Sequence, residues 1–195
     1  MAEVLLKAEN VSEVFGGLKA VSDFNFYINK GELVGLIGPN GAGKTTAFNM
    51  ITGVYEPTTG TIDFDGKSIV GLKPYQITQR GIARTFQNIR LFSELSVLDN
   101  VKIAYHSHVK YTVAEAVIRL GRYFREEKEI EEKSMALLKI FKLDDKAHEM
   151  AKNLPYGAQR RLEIARALAA QPKLLLLDEP AAGMNPQETK ELMEM

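Results

Sequence analysis

Apolar and polar positions divide the first half of the chain into short strands and helices. Polar and apolar residues alternate over residues 23–28, which predicts a half-buried strand. The continuous apolar run Leu33–Ile37 predicts a strand covered on both faces. A helix is expected from Lys44 to about Ile51. Further strands are expected at residues 61–65 and 83–86, with a short helix from Pro74 to about Arg80.

The pattern changes near Val97, where glycine becomes rare and apolar residues take a helical spacing until about Met150. The charged run at residues 126–133 is typical of a solvated helix face. We therefore expect one domain over residues 1–195, with a helical subdomain at residues 97–156 inserted into an α/β core. A helix at residues 157–170 and an apolar strand at Leu174–Leu177 should follow. Strands that alternate with helices favour a parallel sheet.

Composition narrows the classes of function. The 195 residues suit one domain, and 45% hydrophobic with 26% charged residues is ordinary for a globular protein. Lys+Arg and Asp+Glu both number 25, so the net charge is zero and does not favour binding to nucleic acid or to anionic lipid. The absence of cysteine excludes disulfides and thiolate chemistry. With no apolar run near the ~18 residues of a membrane span and no signal-peptide layout, a cytoplasmic location is expected.

A glycine-rich segment at residues 38–45 matches G-x-x-x-x-G-K-S/T between a predicted strand and a predicted helix. The glycines let backbone N–H groups surround a phosphate, and the helix N-terminus adds partial positive charge. Lys44 is expected to reach the β- and γ-phosphates of ATP, and Thr45 to place its hydroxyl on Mg²⁺. The predicted nucleotide-binding residues are Gly38, Pro39, Asn40, Gly41, Ala42, Gly43, Lys44, Thr45 and Thr46.

The second candidate group is an acid pair, Asp178 and Glu179, directly after the apolar run Leu174–Leu177. Two carboxylates at the end of a buried strand are costly unless they meet a cation. Asp178 is therefore predicted to serve the same Mg²⁺ as Thr45, and Glu179 to polarise the attacking water.

Together these motifs resemble the ATP-binding cassette (ABC) ATPases. Residues 154–159, LPYGAQ, stand where that family has its LSGGQ signature, and residues 182–185 occupy its D-loop position. Gln87 matches the family's Q-loop glutamine. Phe15 resembles the aromatic residue that stacks on adenine, with Tyr27 and Tyr55 as alternatives. The strings at residues 15–21, 84–87, 154–157 and 180–186 are similar to those of branched-chain amino acid importer ATPases.

The resemblance implies a P-loop NTPase (ABC ATPase) α/β core with an N-terminal antiparallel β-subdomain and an inserted helical subdomain. It implies ATP hydrolysis with Glu179, Gln87 and Lys44 as catalytic residues. Mg²⁺ would be bound by Thr45, Gln87 and Asp178, and Gly157 would meet a second cassette's ATP in trans.

The implied partners are that second cassette, identical or different, and transmembrane permease subunits. A periplasmic or extracellular substrate-binding protein would act indirectly, and no nucleic acid is expected. The chain would lie peripherally on the inner face of the plasma membrane.

Several residues depart from the family pattern. Pro155 replaces the signature serine and cannot cap a helix with its side chain, Ala158 replaces a glutamine, and Asn185 replaces the D-loop aspartate. The family's switch histidine follows the acid pair, whereas His106, His108 and His148 all precede it.

We therefore expect a cassette that is incomplete at its C-terminus and lacks its last core strand or strands. Two alternatives stay open at this point: a non-catalytic nucleotide-binding fragment, and a soluble ABC ATPase of DNA repair or translation.

Overall fold

The computed structural model describes residues 3–119 and 121–194, and the chain divides into two compact units between Arg80 and Gly81. The first unit holds the phosphate-loop motif, and the second holds the Q-loop, signature and acid-pair motifs.

The first unit is built on an antiparallel sheet with strand order β2-β1-β3-β4. Its core comes from alternating residues that face one side, since Leu6 pairs with Phe64 and Ala8 with Ile62, and all four are buried. The predicted N-terminal antiparallel subdomain is therefore present. The elements are β1 (Val4–Phe15), β2 (Leu18–Asn29), α1 (Lys44–Ile51), β3 (Thr59–Phe64), β4 (Lys67–Ser68) and α2 (Pro74–Gln79).

The strand predicted at Leu33–Ile37 is not formed, and this prediction is wrong. Residues 32–39 have no regular secondary structure, and the side chains of Leu33 and Ile37 are 99% and 93% exposed. A strand is stabilised by ladder hydrogen bonds and by packing on a neighbour. Within the described residues no strand pairs with this segment, so its apolar sequence alone does not make it a strand.

The second unit combines a short parallel strand pair with helices. In that pair Ile82 lies opposite Leu174 and Arg84 opposite Leu176, which confirms the expected parallel pairing. The elements are β5 (Ile82–Arg84), α3 (Val97–Tyr105), α4 (Val113–Ile118), α5 (Arg122–Ile140), α6 (Tyr156–Ala169), β6 (Leu174–Leu176) and α7 (Pro186–Met193). Three-residue 3-10 helices occur at 106–108, 144–146 and 151–153.

One hydrophobic cluster joins α3, α5 and α6 in this unit. Val97, Val101, Leu138 and Leu162 are fully buried within it. The charged run of α5 stays at the surface, where Lys133 and Glu129 form an exposed ion pair one helical turn apart. The residues between 97 and 153 are therefore mostly helical, as expected, while the subdomain boundaries 97–156 remain a prediction. In the described residues, no helix is both long enough and apolar enough to cross a bilayer.

Candidate functional site

The phosphate loop has the backbone that its glycines predict. Gly43 caps the N-terminus of α1 with φ 82°, and Gly41 has φ 83°, both in the left-handed region. A Cβ atom on Gly43 would lie 2.6 Å from the carbonyl oxygen of Ala20 and 2.9 Å from Val21 Cγ2. Glycine is therefore required at position 43 by both backbone angle and space. At position 41 only the angle requires it, because nothing lies within 4 Å.

Lys44 curls back over this loop. Its Nζ donates to the carbonyl oxygens of Gly38 at 2.6 Å and Pro39 at 2.9 Å. An ammonium group has three N–H donors, so one remains for a phosphate oxygen. No side chain caps α1, which leaves its first backbone N–H groups available to an anion. The loop thus presents donors and positive charge, which fits the phosphates of a nucleotide.

Phe15 ends β1, and its side chain is 40% exposed. Its ring packs edge-on against Tyr55, with ring centroids 5.1 Å apart and an angle of 71° between the planes. Two of the three aromatic residues considered for adenine stacking, Phe15 and Tyr55, therefore lie side by side in the first unit. Tyr27, the third one, is on β2 and 62% exposed.

In the second unit, the end of β6 brings Gln87, Asp178 and Glu179 together. Asp178 Oδ2 accepts a hydrogen bond from Arg84 Nη2 at 2.8 Å, and both side chains are largely buried. Glu179 Oε2 accepts from Gln87 Nε2 at 3.2 Å. The cation that pairs with Asp178 inside the protein is thus Arg84, a role that was not predicted from the sequence.

Glu179 itself is exposed and has a left-handed backbone, with φ 46°. This conformation costs a non-glycine residue roughly 1–2 kcal/mol, so surrounding contacts must hold it. One such contact is a hydrogen bond from Arg160 Nη2 to the Glu179 carbonyl oxygen at 2.8 Å. The carboxylate is therefore held at a fixed place while remaining open to solvent.

The loop after β5 is held by cations packed on aromatic rings. The guanidinium carbons of Arg84 and Arg90 lie 5.0 Å and 4.4 Å from the centre of the Phe86 ring. Arg166 donates to the carbonyl oxygen of Arg90, and burial lowers the pKa of Arg166 from its usual value. Gln87 follows Phe86 directly, so these contacts lie next to it in the chain.

The signature and D-loop segments touch each other within the second unit. Tyr156 donates from its hydroxyl to the carbonyl oxygen of Ala182 at 3.0 Å, and its ring lies against Gly183. Gly157 is buried in the first turn of α6, where an added Cβ would collide with the carboxylate of Glu188. A larger residue there would force the Glu188 carboxylate to move, and the contact of Gly157 with a nucleotide in trans stays a prediction.

The departures from the family pattern have local consequences. Pro155 precedes α6 without a side-chain hydrogen bond, as its chemistry requires. Asn185, in contrast, caps α7: its Oδ1 accepts from the backbone N–H of Glu188 at 2.9 Å, and the Glu188 carboxylate accepts from the Asn185 N–H. From the sequence we noted only that Asn185 replaces the D-loop aspartate, and this cap was not predicted, although N-P-x-E is a helix-start pattern.

None of the histidines lies in a cluster of metal ligands. His108 Nε2 is 2.8 Å from the carbonyl oxygen of Ala170, His106 Nε2 is 3.6 Å from Glu127 Oε1, and His148 is exposed. Over residues 3–119 and 121–194, no three His, Cys, Asp or Glu side chains are grouped to hold a metal. Mg²⁺ bound with a nucleotide needs only one or two protein oxygens, because phosphates and water supply the rest. The Thr45 hydroxyl on α1 is an oxygen of the required kind, and a Mg²⁺ site shared with Asp178 stays a prediction.

Comparison with known proteins defines the class. The family described as ABC transporter matches residues 21–182, and the chain therefore belongs to this family. It is 44% identical over 195 residues to the high-affinity branched-chain amino acid transport ATP-binding protein LivG of Salmonella typhi, covering 100% of this chain and 76% of LivG.

Two solved structures confirm the predicted fold class. The ADP conformation of MJ1267, an ATP-binding cassette of an ABC transporter, matches with a TM-score of 0.82 and 32% identity, covering 98% of this chain and 74% of MJ1267. The cassette MJ0796, a dimeric structure in a post-hydrolysis state bound to ADP and Pi, matches with a TM-score of 0.79 and 27% identity, covering 97% of this chain and 80% of MJ0796.

Proposed function

We propose that this chain is the ATP-binding and ATP-hydrolysing subunit of an ABC importer for branched-chain amino acids. The observation that carries the catalytic part is the grouping at the end of β6, where Gln87 holds the carboxylate of Glu179 beside Asp178. The cargo class rests on the 44% identity with LivG. No side chain described above would itself touch the amino acid.

In this proposal the phosphate loop binds the triphosphate. Its backbone N–H groups and the Lys44 ammonium donate to the phosphate oxygens, and Thr46 extends the first turn of α1 beside Thr45. Phe15, packed against Tyr55, provides a ring face for adenine. Thr45, Gln87 and Asp178 would hold Mg²⁺, which would supply positive charge beside the phosphate groups.

Glu179 acts as the general base in this mechanism. Gln87 donates to one carboxylate oxygen, Oε2, which leaves lone pairs on the carboxylate to accept a proton from the attacking water. The hydrogen bond from Arg160 holds the left-handed backbone of Glu179, and Gln87 holds the carboxylate that extends from it. A fixed base requires little reorganisation at the moment of reaction.

The proposed partners follow from the same assignment. A second cassette, identical or different, would meet Gly157 across the bound ATP. The dimeric structure of the related cassette MJ0796 supports such a pairing. Transmembrane permease subunits would contact the helical subdomain at residues 97–156. A substrate-binding protein outside the membrane would deliver the amino acid. The chain would lie in the cytoplasm at the inner face of the plasma membrane.

One observation favours a second candidate, a nucleotide-binding chain that does not turn over. The segment before the phosphate loop is exposed and forms no strand, so no strand anchors the first residues of the loop. Such a chain would bind nucleotide through the same residues. It would fail at the hydrolysis step.

Steady-state ATP hydrolysis by the purified chain separates the two candidates. We expect turnover that Glu179→Gln reduces by at least about a hundredfold, the usual scale for loss of a general base, with nucleotide binding retained. Glu131→Gln, an exposed carboxylate on α5, is the matched control and should keep full turnover. Binding without turnover in the unaltered chain would support the non-catalytic candidate.

The cargo is tested separately. Sealed membrane vesicles that contain the chain with its permease subunits should accumulate labelled leucine, isoleucine or valine when supplied with ATP. Co-purification with hydrophobic subunits is expected on the same grounds. A chain that instead purifies with DNA or ribosomes would favour a soluble role in DNA repair or translation.

A further inference from the structure

Arg160 and Glu163 form a buried ion pair inside the second unit. Both lie on α6, with side chains 0% and 2% exposed, and Arg160 Nη1 is 2.8 Å from Glu163 Oε2. Removing a pair of charges from water is costly unless both are fully hydrogen-bonded. A pair at this depth therefore needs further partners, and these partners are backbone groups of two separate segments.

The first segment is the end of β6. Arg160 Nη2 donates to the carbonyl oxygens of Glu179 at 2.8 Å and Asp178 at 3.3 Å, and Nε donates to that of Pro180 at 3.2 Å. One guanidinium therefore binds three consecutive carbonyl groups, and the middle one belongs to the residue with the left-handed backbone.

The second segment is the loop that carries Gln87. Arg160 Nη1 donates to the carbonyl oxygen of Phe86 at 2.5 Å, immediately before Gln87. Glu163 Oε1 accepts from the backbone N–H of Arg90 at 3.2 Å, shortly after it. The ion pair thus contacts this loop on both sides of Gln87.

This set of contacts uses all of the guanidinium's donors. Arg160 makes four hydrogen bonds to carbonyl groups and one to Glu163, which equals the five N–H donors of an arginine. Lysine has three donors on one atom and cannot reproduce this planar arrangement. The network therefore requires arginine.

We propose that Arg160 and Glu163 are positioning residues that hold Gln87 and Glu179 in their mutual hydrogen bond. Neither side chain touches the reacting atoms. They act through the backbone carbonyl groups that flank the two catalytic side chains, and they link these side chains to α6, the helix that begins at the signature segment. The expected effect on ATP turnover rests on the proposed function. The positioning of Gln87 and Glu179 does not depend on it.

The test uses three variants of the full chain. Arg160→Lys keeps the charge and removes most of the carbonyl contacts. The double variant Arg160→Met with Glu163→Met removes both charges together, so it leaves no unpaired charge buried. It keeps the test decisive if Arg160→Lys does not fold. Arg161→Lys is the matched control. In the part of the chain that the structure describes, the ion pair of Arg161 is with the partly exposed Glu191, at 3.6 Å.

Amide hydrogen exchange is the first readout. We expect exchange about tenfold faster in segments 86–92 and 178–184 of the first two variants, since hydrogen bonds to a charged group are lost there. Exchange in α3 and in the control should not change. Unchanged exchange in both segments would overturn the proposal, as would an equal rise across the whole second unit, which would indicate a merely structural role.

ATP turnover is the second readout. In the double variant we expect kcat to fall about tenfold or more while KM for ATP stays within about twofold, because the phosphate loop is unaltered. An equal loss caused by a raised KM would contradict positioning. If the unaltered chain shows no turnover, the proposed function fails, and the exchange comparison still decides the positioning.

Discussion

The segment before the phosphate loop and the strand before the acid pair are both short apolar runs, yet they differ in environment. Leu33 is 99% exposed, whereas Leu174 and Leu176 in β6 are 9% and 7% exposed. The strand β6 has a parallel partner in β5, and its C-terminal end is bound by Arg84 and Arg160. The segment at residues 33–37 has no partner strand among the described residues.

The difference shows which parts of a site depend on distant partners. The phosphate loop keeps its glycine conformation and its helix because both are local: the left-handed angles belong to the glycines, and the contacts of Lys44 lie within the loop. The acid pair is placed by residues far away in the sequence, since Arg84 and Asp178 are 94 positions apart. Local chemistry therefore survives where a neighbouring strand is lacking.

The largest expected effect separates the two apolar runs directly. Leu176→Ala should lower the free energy of unfolding by about 2–4 kcal/mol, because a buried leucine is replaced by a cavity. Leu33→Ala should change it by less than about 0.5 kcal/mol, since the side chain is already in water. Denaturant unfolding followed by circular dichroism measures both. Equal losses would mean that residues 33–37 are buried after all.

Within the phosphate loop, the two left-handed glycines should differ. Gly43→Ala should cost about 2–4 kcal/mol, from the left-handed angle together with the collision of Cβ with Ala20 and Val21. Gly41→Ala has the same angle and open space, so about 1–2 kcal/mol is expected. Thermal unfolding and nucleotide affinity of both variants give the comparison. A Gly41 variant as damaged as the Gly43 variant would show that space around Gly43 is not the cause.

A smaller effect is expected at the cap of α7. Asn185→Ala should destabilise the second unit by about 1 kcal/mol, because the N–H of Glu188 loses its acceptor. Asn185→Asp keeps an acceptor and restores the family's D-loop residue, so stability should be retained. Unfolding midpoints of both variants decide this. Full stability of Asn185→Ala would show that the cap contributes nothing.

The smallest effect concerns alkaline pH and Tyr111, which belongs to neither apolar run. Burial and a hydrogen bond to Glu127 raise the pKa of Tyr111 to about 12. Because the folded-state value lies above the unfolded value of about 10, the phenol stabilises the fold below pH 10, and this contribution is lost as pH rises towards 12.

Tyr111→Phe should therefore flatten the fall in stability between pH 10 and 12. Solvent screening limits the change to less than about 1 kcal/mol. Stability measured against pH for both chains gives the test, and parallel curves would refute the assignment.

The sequence predicted local features well and long-range partners poorly. The bounds of α1 and the glycine conformations followed from one short motif, whereas Gln87 was placed beside Asp178 only by the resemblance to ABC ATPases. The roles of Arg84 and Arg160 could not be seen, because an arginine beside a motif carries no sign of which distant carbonyl or carboxylate it will meet. The strand predicted at Leu33–Ile37 was wrong for the same reason. A strand needs a second segment to pair with, and an apolar run does not show whether one is present.

Nucleotide binding at the phosphate loop is the claim on which the rest depends, and calorimetric titration with MgATP tests it most directly. We predict a heat of association for the folded chain that Lys44→Ala abolishes. Lys67→Ala, an exposed lysine on β4 of the same unit, should leave that heat unchanged. No heat from the folded chain, or the same heat from the Lys44 variant, would contradict the account.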